Sequence, residues 1–109
     1  METEKSLSQM RKGVLEFCIL TLLADRESYA SDLIDRLKES RLIIVEGTLY
    51  PLLTRLKNDG LLTYRWEESR SGPPRKYYQI TPMGQAYRKD LEKTWVELVH
   101  SVEKIITPQ

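Results

Sequence analysis

The sequence predicts a mainly helical fold with one small β-hairpin and a long closing helix. Three observations carry that expectation. Leucines recur at helical spacing between residues 46 and 60; aromatics alternate over 61–68 ahead of a Gly-Pro-Pro turn; and an apolar stripe runs for about five turns after Thr81-Pro82. At 109 residues the chain has room for one core and not for two independent ones. Its 17 Lys and Arg stand against 16 Asp and Glu, a formal net charge of +1, so any surface for a polyanion must be local. One cysteine and one histidine cannot make an intramolecular disulfide or a Cys/His zinc centre. No metal or cofactor is therefore expected, and a reducing, cytoplasmic location fits. The most apolar stretch, Val14 to Ala24, is broken by Glu16 and Thr21 and is about half of the roughly 20 residues that a membrane crossing needs, so no membrane partner is expected. The opening Met-Glu-Thr-Glu-Lys does not read as a signal peptide.

The first helix is expected over about 7–24, with Ser6 as its cap. Its apolar residues follow a 3.6-residue spacing from Leu7 to Cys18, but from Val14 onward they spread round most of the circumference. Such a helix needs cover on several sides, from its own domain and from a second copy, or else it is simply a central core helix. A second helix is expected over about 29–40, capped by Ser28, with Leu33, Ile34 and Leu37 on one face. A short apolar connection, Arg41 to Val45, leads to a third helix over about 46–59, which Asn58-Asp59-Gly60 stops. Leu49, Leu52, Leu53 and Leu56 form its inward stripe, which leaves Gly47, Pro51, Thr54 and Asn58 outward. Pro51 requires either that this helix starts late or that Gly47 relieves the strain. Strands are expected over about 61–68 and 75–80, joined by a six-residue tip, Ser69 to Pro74. Thr81 and Pro82 suit the cap and first position of a last helix reaching about Ile106. Its stripe of Tyr87, Leu91, Trp95, Leu98, Val102 and Ile105 is too long for so small a core, and a partner helix from a second subunit is the economical cover.

The second and third helices form a helix-turn-helix candidate. Between Ser69 and Gln79 the hairpin carries Arg70, Arg75 and Lys76 and no acidic residue, a composition suited to phosphates or a minor groove and equally to a merely solvated turn. The outward face of the third helix offers Thr48, Tyr50, Thr54, Arg55, Lys57 and Asn58.

Several segments then become specific in combination. They are Glu46-Gly47-Thr48-Leu49-Tyr50-Pro51-Leu52-Leu53, Arg55-Leu56, Asp59-Gly60-Leu61-Leu62, Trp66-Glu67-Glu68, Gly72-Pro73-Pro74-Arg75-Lys76-Tyr77-Tyr78 and Thr81-Pro82-Met83-Gly84. Together they resemble the PadR family of transcriptional regulators. The resemblance implies a winged helix-turn-helix DNA-binding domain over 1–80 and a C-terminal dimerisation helix over 81–109, as in the smaller members with a single C-terminal helix. It implies a homodimeric repressor of double-stranded DNA, with the third helix in the major groove and the hairpin wing on the flanking backbone or minor groove. Members commonly begin the second helix with Gly-Tyr, where this chain has Ala30-Ser31 after Tyr29, and usually cap the third with Ser or Asn, where it has Val45.

On this reading the DNA-binding candidates are Tyr29, Ser31, Thr48, Tyr50, Pro51, Thr54, Arg55, Lys57, Arg70, Arg75 and Lys76. Some members bind planar aromatic compounds between subunits, and Trp95 occupies the position of their stacking tryptophan. Trp95, with Val14 and Cys18, is thus a candidate effector site; the competing reading makes Trp95 a hydrophobic interface residue and Cys18 an inert core thiol. A small aromatic effector, a second copy and a pseudo-palindromic operator are the implied partners. The alternative is a winged-helix protein-interaction module that reads no DNA. An enzyme is not expected, because no nucleophile, general base and orienting group can be named together.

Overall fold

A long helix, α1 (Glu2–Asp25), lays Leu15, Ile19, Leu20 and Leu23 into the core of the computed structural model, which describes residues 2–69 and 71–107. Val14, Phe17, Cys18 and Leu22 are half-buried around it. No Gly or Pro lies between Glu2 and Leu7 to stop the helix, so it starts five residues before Leu7 and Ser6 lies inside it rather than at its cap.

The next element is a strand of two residues, β1 (Ser28–Tyr29), and it displaces Ser28 from its expected cap position. Ser28 pairs with Tyr78 in the sheet and is buried, its hydroxyl donating to the Arg26 carbonyl. Tyr29 is instead the N-cap of α2 (Ala30–Glu39), and its backbone N–H donates to the Asp32 carboxylate at 3.1 Å. Helix α3 (Glu46–Asn58) buries Leu49, Leu53 and Leu56 completely and Leu52 partly, as their spacing requires. It starts at Glu46, so Pro51 lies in its second turn, four residues after Gly47, and a late start does not explain how the proline is accommodated.

The hairpin comprises β2 (Leu62–Ser69) and β3 (Gly72–Ile80), and with β1 it forms a three-stranded antiparallel sheet in the order β1-β3-β2. The expected six-residue tip is therefore wrong: Gly72, Pro73 and Pro74 are strand residues. Glu67 pairs with Arg75 and Ser69 with Gly72, so β3 carries one residue more than β2 between those pairs. That bulge takes the prolines out of the regular ladder, and β1 pairs only with Tyr77 and Tyr78, leaving the opposite edge of β3 free of it there.

Helix α4 (Pro82–Ile106) starts where Thr81-Pro82 predicts, the Thr81 Oγ1 accepting from the Gly84 N–H at 3.0 Å. Its start is joined to the end of α3. Gly60, at φ +80°, and Leu61 close α3 by donating to the Lys57 and Leu56 carbonyls at 3.0 Å each, the pattern of a Schellman cap. The carbonyls of the same two residues face α4: Gly60 accepts from the Thr81 hydroxyl at 2.7 Å and Leu61 from the Thr81 N–H at 3.1 Å. Gly84 is the one buried residue of α4, and beyond it Trp95, Leu98, Val102 and Ile105 are exposed. The radius of gyration, 15.8 Å, exceeds the roughly 13 Å of a compact domain of this length because α4 projects. Among the described residues no helix is long and apolar enough to cross a membrane.

Two glycines give opposite expectations. A Cβ on Gly84 would lie 2.1 Å from the Leu61 carbonyl oxygen, whereas one on Gly47 meets nothing within 4 Å. In denaturant titrations, Gly84→Ala is expected to lose about 1–3 kcal/mol of stability. Gly47→Ala, in a helix, is expected to gain up to about 1 kcal/mol.

Candidate nucleic-acid interface

Burial of the α3 leucines turns Thr48, Tyr50, Pro51, Thr54 and Lys57 to solvent on the opposite and flanking faces. The first two turns of α3, the start of α2 and the wing enclose an open cleft of about 390 Å³. Tyr29 and Ser31 contribute from the α2 side, Glu46 and Tyr50 from α3, and Trp66, Pro74, Arg75, Lys76 and Tyr78 from the wing. Five of the predicted DNA-binding residues, Tyr29, Ser31, Tyr50, Arg75 and Lys76, thus line one cleft.

The wing cations rest on aromatic rings. On one sheet face the Arg75 guanidinium lies 4.0 Å from the centre of the Tyr29 ring, with its Nη1 3.5 Å from the Ser31 hydroxyl. Tyr29 meets Tyr77 edge-on at 4.7 Å, and Arg65 caps Tyr77 at 4.7 Å. Arg65 is held in turn by Glu27 at 2.9 Å and Glu67 at 2.6 Å. Hydrogen bonds from Gln79 and Arg65 keep the Glu27 carboxyl below the usual carboxylate range. The other face places the Lys76 Nζ 4.5 Å from the Tyr64 ring centre and 5.6 Å from that of Trp66, with the Lys57 Nζ of α3 5.8 Å from the same Tyr64. Exposed cation–π contacts contribute about 0.5–1 kcal/mol each, too little to hold the fold but enough to narrow where flexible side chains point.

Arg55 stands apart from this group. Its Nη2 is 3.0 Å from the Glu16 carboxylate of α1, so its guanidinium reaches toward α1 rather than the wing. Arg70 lies outside the described residues. Ala30, Glu46, Trp66, Pro74 and Tyr78 also line the cleft and are not among the predicted site residues, although Trp66 could have been found from its place two residues after Tyr64 and opposite Lys76.

A second groove, of about 480 Å³, runs between α1 and α4 and is nearly all apolar: Met10, Val14, Trp95, Leu98, Val99 and Val102, with Arg11 and Glu103 at its edges. Trp95 and Val14 share it. Cys18 does not; it lines a smaller hollow with Phe17, Leu22, Leu37 and Leu42. Cys18 is one turn, about 6 Å, further along α1 than Val14, where the neighbour is α2 rather than the distal part of α4.

Comparisons with known proteins agree on one family. The model of the transcriptional regulator PadR-like family matches residues 19–90. The transcriptional regulator Rv3488 of Mycobacterium tuberculosis is 32% identical over 98 residues, which span 88% of this chain and 89% of that protein. A PadR-like transcription factor from Bacteroides fragilis is 59% identical, with a TM-score of 0.78 over 93% of this chain and 98% of the other. A PadR family transcriptional regulator from Eggerthella lenta is 31% identical, with a TM-score of 0.89 over 98% and 94%.

Burial pushes the Cys18 thiol above its ordinary value, so less of it is thiolate at neutral pH. Iodoacetamide labelling followed by mass spectrometry is expected to proceed more slowly than with free cysteine at pH 7 and to accelerate only as the pH passes the usual thiol range. Labelling as fast as free cysteine would contradict this placement.

Proposed function

Because the chain belongs to the PadR-like family of transcriptional regulators, we propose that it is a cytoplasmic, homodimeric repressor that binds a pseudo-palindromic operator in double-stranded DNA. Members of this family regulate transcription and are not enzymes. The observation that carries the DNA-binding reading is the cleft in which the start of α3 and the cations of the wing stand side by side. In this reading Thr48, Tyr50, Pro51 and Thr54 approach base edges in the major groove, while Arg75, Lys76 and Lys57 meet phosphates. Ser31 and Tyr29, at the start of α2, contact the backbone. Arg55 joins them when a phosphate replaces Glu16, since an exposed ion pair of this kind contributes at most about 1 kcal/mol.

The exposed stripe of Trp95, Leu98, Val102 and Ile105 supports a homodimer, because an apolar surface of that length is ordinarily covered. Two copies related by a two-fold axis would set their α3 helices about 34 Å apart, one turn of the duplex. Repression then follows from occupancy of the promoter. The groove holding Val14 and Trp95 supports a planar aromatic effector bound between the subunits, with Trp95 stacking on it.

Fluorescence anisotropy with the chain's own promoter region and with random duplex tests the reading. Promoter binding is expected to be at least tenfold tighter at moderate salt. Arg75→Ala and Lys76→Ala are each expected to weaken binding to every sequence and to reduce the salt slope by about one. Equal affinity for both duplexes, or charge reversal at Arg75 and Lys76 with no effect, would favour a protein-interaction module instead.

A further inference from the structure

Gly60 and Leu61 serve two helices at once. Their N–H groups terminate α3 and their carbonyls receive the start of α4, so only Asp59 separates the last helical residue of α3 from the bonds that anchor α4. The contact has little slack. Gly84 sits so close to the Leu61 carbonyl that not even a methyl group fits between them, and Ile80 closes the other side, pairing with Leu62 at the base of the wing. Thr81 is the centre of this junction: its N–H and hydroxyl donate to Leu61 and Gly60, while its Oγ1 accepts from Gly84. Both helices are stiff, so a small rotation at the junction would become a large displacement at the far end of α4, about 37 Å away along its 25 residues.

We infer that Thr81 and Gly84 are positioning residues for operator recognition: by fixing the angle between α3 and α4 they set the separation and rotation of the two recognition helices in the dimer, and hence the half-site spacing that is accepted. This rests on the dimeric DNA-binding reading above. Neither residue lines the cleft, and neither belongs to the apolar stripe of α4. Their effect on DNA is therefore separable from direct contact and from subunit association.

A duplex selected by the wild-type protein from a random pool is rebuilt with its half-sites moved apart or together by one and two base pairs. Each base pair turns the half-sites by about 34–36° and shifts them by about 3.4 Å. The wild type is expected to lose tenfold or more in affinity on a change of one base pair. Thr81→Val keeps the shape of the side chain and removes its hydroxyl bonds; it is expected to bring all spacings within about threefold of one another. Thr81→Ser is expected to restore the wild-type profile. Circular dichroism and sedimentation check that each variant is folded and dimeric. Thr81→Val with the wild-type profile, or with an equal loss at every spacing, would overturn the inference. A wild-type protein that selects no duplex would sink the functional reading itself, before Thr81 is tested.

Discussion

Burying Leu49, Leu53 and Leu56 removes the rotational freedom of α3, and the surface chemistry of the molecule follows from that restriction. A helix with three fully buried leucines cannot turn by even one residue, about 100°, without bringing polar groups inward, at several kcal/mol for each one left unbonded. Thr48, Pro51 and Thr54 therefore face outward as a consequence of the core, and Gly60 ends the helix. The same core seats the base of the wing: Leu62 and Tyr78 are buried with the leucines, so β2 and β3 rise beside α3 rather than elsewhere on the body.

On the outer part of the wing, aromatic rings replace the hydrophobic core as the means of organisation. A hairpin tip with Gly and Pro in it has little burial to hold it, yet its cations are constrained by Tyr29, Tyr64 and Trp66. Each contact is weak. Their joint effect is to reduce the side-chain entropy that Arg75 and Lys76 would have left to lose on meeting a phosphate, as the proposed function requires. The arrangement also places the charge locally, which gives an almost neutral chain a cationic edge.

Much of this was legible in the sequence, and the parts that were not have physical reasons. The leucine spacing of α3, the Asn58-Asp59-Gly60 stop and the Thr81-Pro82 start are local signals, and each marks its helix end to within a residue. Strand β1 has two residues, too few for any period, and its pairing with β3 joins residues some fifty apart, so local sequence alone makes Ser28 a cap. Proline breaks a regular ladder, so local sequence alone makes the tip too long, whereas a bulge accommodates the prolines. In the cleft, the charged and hydroxyl residues could be named from composition, but the stacking of Arg75 on Tyr29 depends on that same unreadable β1. Trp95 and Cys18 share a helical, apolar character in sequence; only the crossing of α1 and α4 separates their surroundings.

On the proposed function, the outward face of α3 and the wing form one surface that meets a duplex. Amide and side-chain NMR shifts of isotope-labelled protein, followed while its promoter duplex is added, test this most directly. The largest changes are expected on Ser31, Thr48, Tyr50, Thr54, Arg75 and Lys76, with Leu33 and Leu53 in the core little affected. Changes confined to α4, with the α3 face and the wing unmoved, would contradict it.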